Sequence, residues 1–248
     1  MDRALNGFLA RLVSRTRLSG PECAAILALT GKIERLKANE PFVPAGDKAT
    51  TACLVIEGFC GRVDMPTEDR RQITAIYVPG DMADLSGAFE PMARSKVEAL
   101  TAASILRVSH AELGAAMRTH PGLGEAFCRY LVADAGITTE WLANVGGREA
   151  KASVAHLFCE IAVRLGKAEG ERFSFFFPLS QVQLGDVCGL STVHINRSMM
   201  SLKELGLMQT ERGQVQVANW RGLKALAEFD GGYLAAGEPS RILPVPVH

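Results

Sequence analysis

The pattern of apolar and polar positions changes character three times along the chain. Leu5, Phe8, Leu9 and Leu12, then Cys23, Ile26 and Leu27, fall at helical spacing and predict helix over residues 1–32. Ser19-Gly20-Pro21 breaks that segment, and Ser19 with Glu22 has the spacing of a capping box. From about residue 33 to 110 the apolar positions instead form short runs, at 52–56, 59–63, 73–78, 97–100 and 103–108. Turn signals separate them: Pro44-Ala45-Gly46-Asp47, Glu57-Gly58, Pro66-Thr67-Glu68-Asp69 and Pro79-Gly80-Asp81. Strands of this length and spacing predict an antiparallel barrel or jelly roll.

Helical spacing returns over 110–146. Leu123, Phe127, Leu131, Ile137 or Thr138, Trp141 and Val145 form one stripe, interrupted by Asp134. Such a stripe packs on its own domain or, over a helix this long, against a second copy. Gly146-Gly147 ends it and is the expected hinge. Beyond the hinge a helix over 149–165 shows Val154, Leu157, Phe158, Ile161, Ala162 and Leu165 on one face and stops at Gly166. A strand at 173–177, two short helices and a hairpin at 207–217, turning at Arg212-Gly213, follow. The expected division is 1–120, 121–147, 148–235 and a flexible tail at 236–248 that holds three prolines.

Charge adds little. Lys+Arg and Asp+Glu both number 27, so a whole-chain basic excess is absent. Between 172 and 224, however, six basic residues face three acidic ones, a local balance of +3. No apolar run reaches the roughly 18 residues of a membrane helix, and the N-terminal arginines do not fit a signal peptide. The expectation is a cytoplasmic protein without a membrane partner. The six cysteines are scattered without a CxxC pair, which points to buried thiols rather than a zinc or thioredoxin motif. Cys53 and Cys60 flank one turn and read either as two buried thiols or as a redox pair. A cupin-type enzyme would need histidines converging on a metal, and none occurs between residues 33 and 109. No catalytic residues and no metal ligands are assigned.

The stretch 178–205 carries the chemistry. Ser180 and Gln183 form a capping box for a helix with Leu184, Val187 and Cys188 on its apolar face. Gly185 is small where a second helix crosses, and Gly189 sits where a left-handed residue must end the first helix. Ser191 caps a second helix whose Ile195, Met199 and Leu202 face inward. Thr192, Val193, His194, Asn196, Arg197 and Lys203 are left on the outer face. This is the spacing of a helix-turn-helix, whose second helix enters the major groove of DNA. The hairpin that follows fits a wing. Ser191, Thr192, Val193, His194, Asn196 and Arg197 are the candidate readers, and Lys203 and Arg212 the candidate phosphate contacts. A helical hairpin that only packs a core is the bland alternative, against which stands the polar face after a capped N-terminus.

Together these segments resemble the Crp/Fnr family of bacterial transcription regulators. The strings Ala45-Gly46-Asp47, Val55-Ile56-Glu57-Gly58, Pro79-Gly80-Asp81, Gly189-Leu190-Ser191 and Val193-His194-Ile195-Asn196-Arg197 carry the likeness, with Leu205-Gly206-Leu207 and the stretch 219–230. The resemblance spans about residues 5–235 and implies an α+β fold: an antiparallel, jelly-roll-like β-roll effector domain, a long dimerisation helix and a C-terminal winged helix-turn-helix. It further implies a homodimer on near-palindromic double-stranded DNA, in contact with RNA polymerase. Arg197 matches the family's recognition-helix arginine, suited to guanine O6 and N7. Val193 stands where the best-known members have glutamate, so the operator is expected to differ there.

The β-roll of this family often holds a cyclic nucleotide, with a Gly-Glu pair for the ribose and an Arg-Ser pair for the phosphate. Here Leu85 occupies the glutamate position with Asp84 before it and Ser86 after it, while Arg94-Ser95 resembles the phosphate pair with one residue fewer between. Leucine cannot accept ribose hydrogen bonds. The expectation is therefore an unknown small-molecule effector near Asp84, Leu85, Ser86, Arg94 and Ser95, not cyclic AMP. Arg94 also reads as a solvated surface arginine. An iron–sulfur cluster lacks clustered N-terminal cysteines, since Cys23 stands alone there. The competing function is a signalling module that binds a small molecule or partner without reading DNA.

Overall fold

The computed structural model describes residues 2–67 and 70–234. The predicted tail at 236–248, and Glu68-Asp69 of the predicted turn, lie outside the described residues.

Helices α1 (Asp2–Val13) and α2 (Gly20–Leu27) come first. The break read at Ser19-Gly20-Pro21 lies where the second helix starts, and only the end of the predicted helical segment differs, the chain being already extended at Lys32. Pro21 in the first turn of α2 suits a helix start, and the Glu22 carboxylate accepts from the Ser19 N–H at 2.7 Å.

Eight strands then build a roll: β1 (Lys32–Leu36), β2 (Pro41–Val43), β3 (Thr51–Glu57), β4 (Cys60–Thr67), β5 (Arg70–Tyr77), β6 (Met82–Ala83), β7 (Lys96–Ala99) and β8 (Ala103–Ser109). They form two antiparallel sheets, ordered β1-β8-β3-β6 and β2-β7-β4-β5. The sequence reading missed β1, whose Lys-Ile-Glu-Arg-Leu run leaves all but Leu36 at least partly exposed, and the three-residue β2. In β3 successive side chains serve opposite faces. Ala52 and Leu54 meet the helices, while Cys53 and Val55 face the other sheet. A strand covered on both sides reads as a continuous apolar run, which is why this one was legible.

Cys53 and Cys60 do not pair within one sheet. The chain crosses from one sheet to the other at Gly58, whose φ of +79° and approach to the Ala102 carbonyl exclude a Cβ. Both thiols lie buried in the core between the sheets, and burial pushes each up to about 12. Buried, protonated thiols fit the first of the two readings.

The helical spacing over 110–146 is realised as two helices, α3 (His110–Thr119) and the long α4 (Pro121–Gly147). Residues before proline avoid the helical region, and His120 sits at φ −132°, ψ 85°. Helix α4 runs through both glycines of the predicted hinge, and the chain turns extended at Arg148. Leu123, Phe127, Ile137 and Trp141 are buried against the protein's own roll and C-terminal unit. Val145 leaves the stripe and is exposed. The stripe read from the sequence is therefore the intramolecular face. A second face of α4 carries Cys128, Val132, Ala135, Thr139 and Leu142, all exposed. Their spacing of four, three, four and three residues is that of a coiled-coil seam.

The C-terminal unit comprises α5 (Ala150–Arg164), β9 (Phe173–Phe176), α6 (Gln181–Cys188), α7 (Thr192–Glu204), β10 (Met208–Glu211), β11 (Gln214–Val217) and α8 (Trp220–Ala227). Its sheet runs β10-β11-β9, antiparallel throughout. Its core merges with the outer face of β4 and β5, where Val63, Ile73 and Ile76 meet it and Phe59 packs edge-on against Phe177 at 5.3 Å between centroids. Among the described residues no helix is long and apolar enough to cross a membrane.

Candidate nucleic-acid interface

The two helices of the motif are set by local chemistry. The Ser180 hydroxyl accepts from the Gln183 N–H, while the Gln183 amide oxygen accepts from the Ser180 N–H at 2.9 Å, which closes the predicted capping box. Gly189 ends α6 at φ +67°, ψ 26°, the left-handed conformation its position requires. A Cβ on Gly185 would lie 2.5 Å from the Leu190 carbonyl, so only glycine admits the turn between α6 and α7. Helix α6 is also anchored from outside. Arg71 of β5 pairs with both Asp186 and Glu98, and Gln72 Nε2 donates to the Val187 carbonyl at 3.2 Å.

Helix α7 buries Ile195 and Leu202 completely. Each fixes its rotation with about 1.5–3 kcal/mol of burial. Ser198 is also buried on this face, at the position where the motif is usually aliphatic, and Met199 is partly buried. That rotation leaves Thr192, Val193, His194, Asn196, Arg197 and Lys203 exposed on the other side, Val193 at 65%. Ser191 caps the helix: its Oγ accepts from the His194 N–H and lies 2.9 Å from His194 Nδ1. The His194 ring is therefore tied to the cap through Nδ1. Arg197, Lys203 and Arg212 make no ion pair among the described residues.

Arg212 occupies the tip of the wing. It and Gly213 take φ +48° and +80°, the two left-handed residues of a two-residue hairpin turn. A groove of about 360 Å³ runs between Lys203 and the wing, lined also by Arg172, Gln209 and Gln216. Arg172 entered the sequence reading only in the charge count. The period-two alternation of Gln214 and Gln216 with buried Val215 and Val217 was the signal that could have placed the glutamine on the groove.

The five candidate effector residues, Asp84, Leu85, Ser86, Arg94 and Ser95, line one cavity of about 560 Å³ between the roll and α4. Leu85 contributes a buried apolar wall, and Arg94 is exposed at the rim. Sequence reasoning missed Arg62, Tyr77, Asp134 and Thr138, which reach the same cavity from other elements. Arg62 is spent on local partners: Asp134 at 3.5 Å and the hydroxyls of Thr74 and Thr138, each at 3.3 Å. Burial pushes the Asp84 carboxyl up to about 6 against the pull of Arg62, and burial likewise raises Asp134. This donor set does not fit a cyclic phosphate. Arg62 is engaged, Arg94 is exposed, and the lining adds two acidic residues, Asp84 and Asp134, which an anion would meet with repulsion.

The likeness to known proteins falls in two parts, on either side of α4. Residues 33–120 match the cyclic nucleotide-binding domain, and residues 152–226 match the Crp-like helix-turn-helix domain. The chain belongs to the Crp/Fnr family. Among its relatives, the transcriptional activator protein FnrA of Stutzerimonas stutzeri is 21% identical over 192 residues, covering 77% of this chain and 79% of FnrA. The nitrogen fixation regulation protein FixK of Bradyrhizobium diazoefficiens is 22% identical over 199 residues, 79% of this chain and 82% of FixK. The solved structure of FixK2 from Bradyrhizobium japonicum superposes with a TM-score of 0.72 at 22% identity, covering 80% of this chain and 98% of FixK2. This Crp/Fnr protein is a DNA-binding transcription regulator with an antiparallel N-terminal roll, a long helix and a C-terminal helix-turn-helix unit.

Proposed function

We propose that this Crp/Fnr protein acts as a homodimer that reads a near-palindromic operator with α7, under control of a small-molecule effector bound beside α4. The observation that carries the reading is the two-sidedness of α7. Ile195 and Leu202 lock one side into the core, and the capped N-terminus presents Thr192, Val193, Asn196 and Arg197 together on the other. Arg197 supplies a fork for guanine O6 and N7, while Val193 offers only apolar contact to a thymine methyl. Lys203, Arg212 and Arg172 hold phosphates and set the register. His194 acts through its bond to Ser191, holding the cap in place.

The exposed seam of α4, from Cys128 to Leu142, joins two copies and spaces their recognition helices one helical turn of DNA apart. The effector is not a cyclic nucleotide, because Leu85, Asp84 and Asp134 offer the wrong partners. Action on transcription then runs through contact between the DNA-bound dimer and RNA polymerase, as the family resemblance implies, and no enzymatic step is needed.

Equilibrium binding to a labelled duplex across a salt series tests the reading. The logarithm of the affinity should fall linearly with the logarithm of salt as phosphate contacts release counterions. Absence of binding, or binding indifferent to salt, would favour a signalling module that does not touch DNA.

A further inference from the structure

A second cavity, of about 380 Å³, opens where α1, α4, the roll and the end of α5 meet. It lies behind Tyr77, Tyr130 and Asp134, which also wall the effector cavity, and its own wall carries three arginines: Arg11, Arg15 and Arg164. The charges around it do not balance. Asp81 is held by Arg11 Nε at 2.8 Å and by Arg164 Nη2 at 2.8 Å. Glu160 pairs with Arg164 at 2.9 Å, and Asp134 with Arg62 at 3.5 Å. Arg15 has no carboxylate within reach among the described residues. Its two terminal nitrogens donate to the carbonyls of Arg11 and Leu234, at 2.8 and 3.2 Å, and to the Ser14 hydroxyl. Arg11 spends its own donors on the carbonyls of Pro79 and Arg164.

A half-buried guanidinium with only neutral acceptors, next to two others, is costly to hold. Burial lowers the Arg15 pKa, with the charges of Arg11 and Arg164 working in the same direction against the smaller pull of Tyr130 and Asp81. An anion would remove that cost through charge-assisted hydrogen bonds. Ala10, Ala133, Ile137 and Val163 give the rest of the cavity an apolar wall. We propose that this junction cavity binds a small organic anion, its phosphate or carboxylate group seated on Arg15 and its body against the apolar wall. Because α1 and the roll form one side and α5 the other, the bound anion ties the DNA-reading unit to the roll. This site is separate from the effector cavity at Asp84 and Arg94, and binding to it does not depend on how DNA is read.

Calorimetric titration of the full chain in low-salt, phosphate-free buffer tests the site, with inorganic pyrophosphate in one arm and malonate in the other. At least one anion should bind saturably with a millimolar or lower Kd, and the stronger arm identifies the preferred group. Arg15→Gln should weaken that binding at least tenfold, while Arg94→Gln in the effector cavity leaves it unchanged. Ala10→Glu, at an exposed position of α1 on the cavity wall, adds a carboxylate to the lining of the same cavity without disturbing a buried group. It should abolish binding even if Arg15→Gln fails to fold. No saturable heat with either anion up to about 10 mM, a concentration at which surface charge attraction alone is weak, would overturn the proposal. So would equal binding by the wild type and Ala10→Glu.

Discussion

Asp81, at the turn after β5, and Arg164, in the last turn of α5, form an ion pair of 2.8 Å with both side chains almost wholly buried. The same guanidinium donates to Glu160 and to the Ile76 carbonyl, and Glu160 accepts from Trp141 Nε1 at 2.8 Å and from the Tyr233 hydroxyl at 3.0 Å. One polar cluster thus joins the roll, the long helix and the DNA-reading unit. Removing one member of such a cluster leaves a buried charge without compensation. Arg164→Ala should destabilise the chain by about 3–5 kcal/mol, read as a lower midpoint in urea. A loss below about 1 kcal/mol, the scale of an exposed ion pair, would show that the cluster does not hold the units together.

Arg197→Ala should cost about 1–3 kcal/mol in operator affinity and relax discrimination at one guanine per half-site. Lys203→Ala should instead weaken all duplexes alike and flatten the salt slope by about one unit. Anisotropy titrations with matched and substituted duplexes separate the two patterns. An Arg197→Ala protein with an unaltered sequence profile would remove that residue from the readers.

The α4 seam makes a prediction that does not involve DNA. Leu142 is 73% exposed and Val132 71%, on the face opposite the protein's own core. Leu142→Lys should leave the circular dichroism spectrum and single-chain stability unchanged and shift the sedimenting species from dimer to monomer. A chain that sediments as a monomer before substitution would show that the seam has another use.

Asp84 has a folded-state pKa of about 6, above its ordinary value of 3.8, and its backbone is left-handed at φ +55°. A carboxyl raised in this way stabilises the fold less as pH rises past 3.8 towards 6. Asparagine tolerates the left-handed region and carries no charge. Asp84→Asn is therefore expected to raise stability by about 1–2 kcal/mol at pH 7, with the gain fading below about pH 4. His156 works in the other direction. Burial, with Arg148 nearby, lowers it to about 4, so its contribution is complete above pH 6.5 and is lost as pH falls towards 4. Melting temperatures of the wild type and Asp84→Asn between pH 4 and 8 resolve the two. A variant no more stable than the wild type at pH 7 would contradict the burial of Asp84.

Much of this was legible in the sequence where local chemistry acts alone. Ser180, Gln183, Gly185, Gly189 and Ser191 each satisfy a short-range backbone demand, so the motif and its exposed face could be read residue by residue. The strand β3 announced itself because both its faces are covered. What stayed hidden depends on distant partners. β1 reads as polar because it is a sheet edge, and its pairing with β8 is invisible in its own five residues. The use of the α4 stripe stayed open in the sequence because two apolar stripes run along the helix, and only packing shows which one the protein's own core uses. Arg62 and Tyr77 reach the effector cavity from the paired strands β4 and β5, and Asp134 joins them from α4, far along the chain. The bond from Asp81 to Arg164 spans 83 residues, and no periodicity signals it.

The central claim is that two copies of α7 read DNA in a two-fold arrangement. Selection of bound duplexes from a random-sequence library by the purified full chain tests it most directly. The expected outcome is a symmetric site with a fixed guanine in each half, the half-sites about one helical turn, 10–10.5 base pairs, apart. Enrichment of an asymmetric or unrepeated sequence, or none at all, would contradict it.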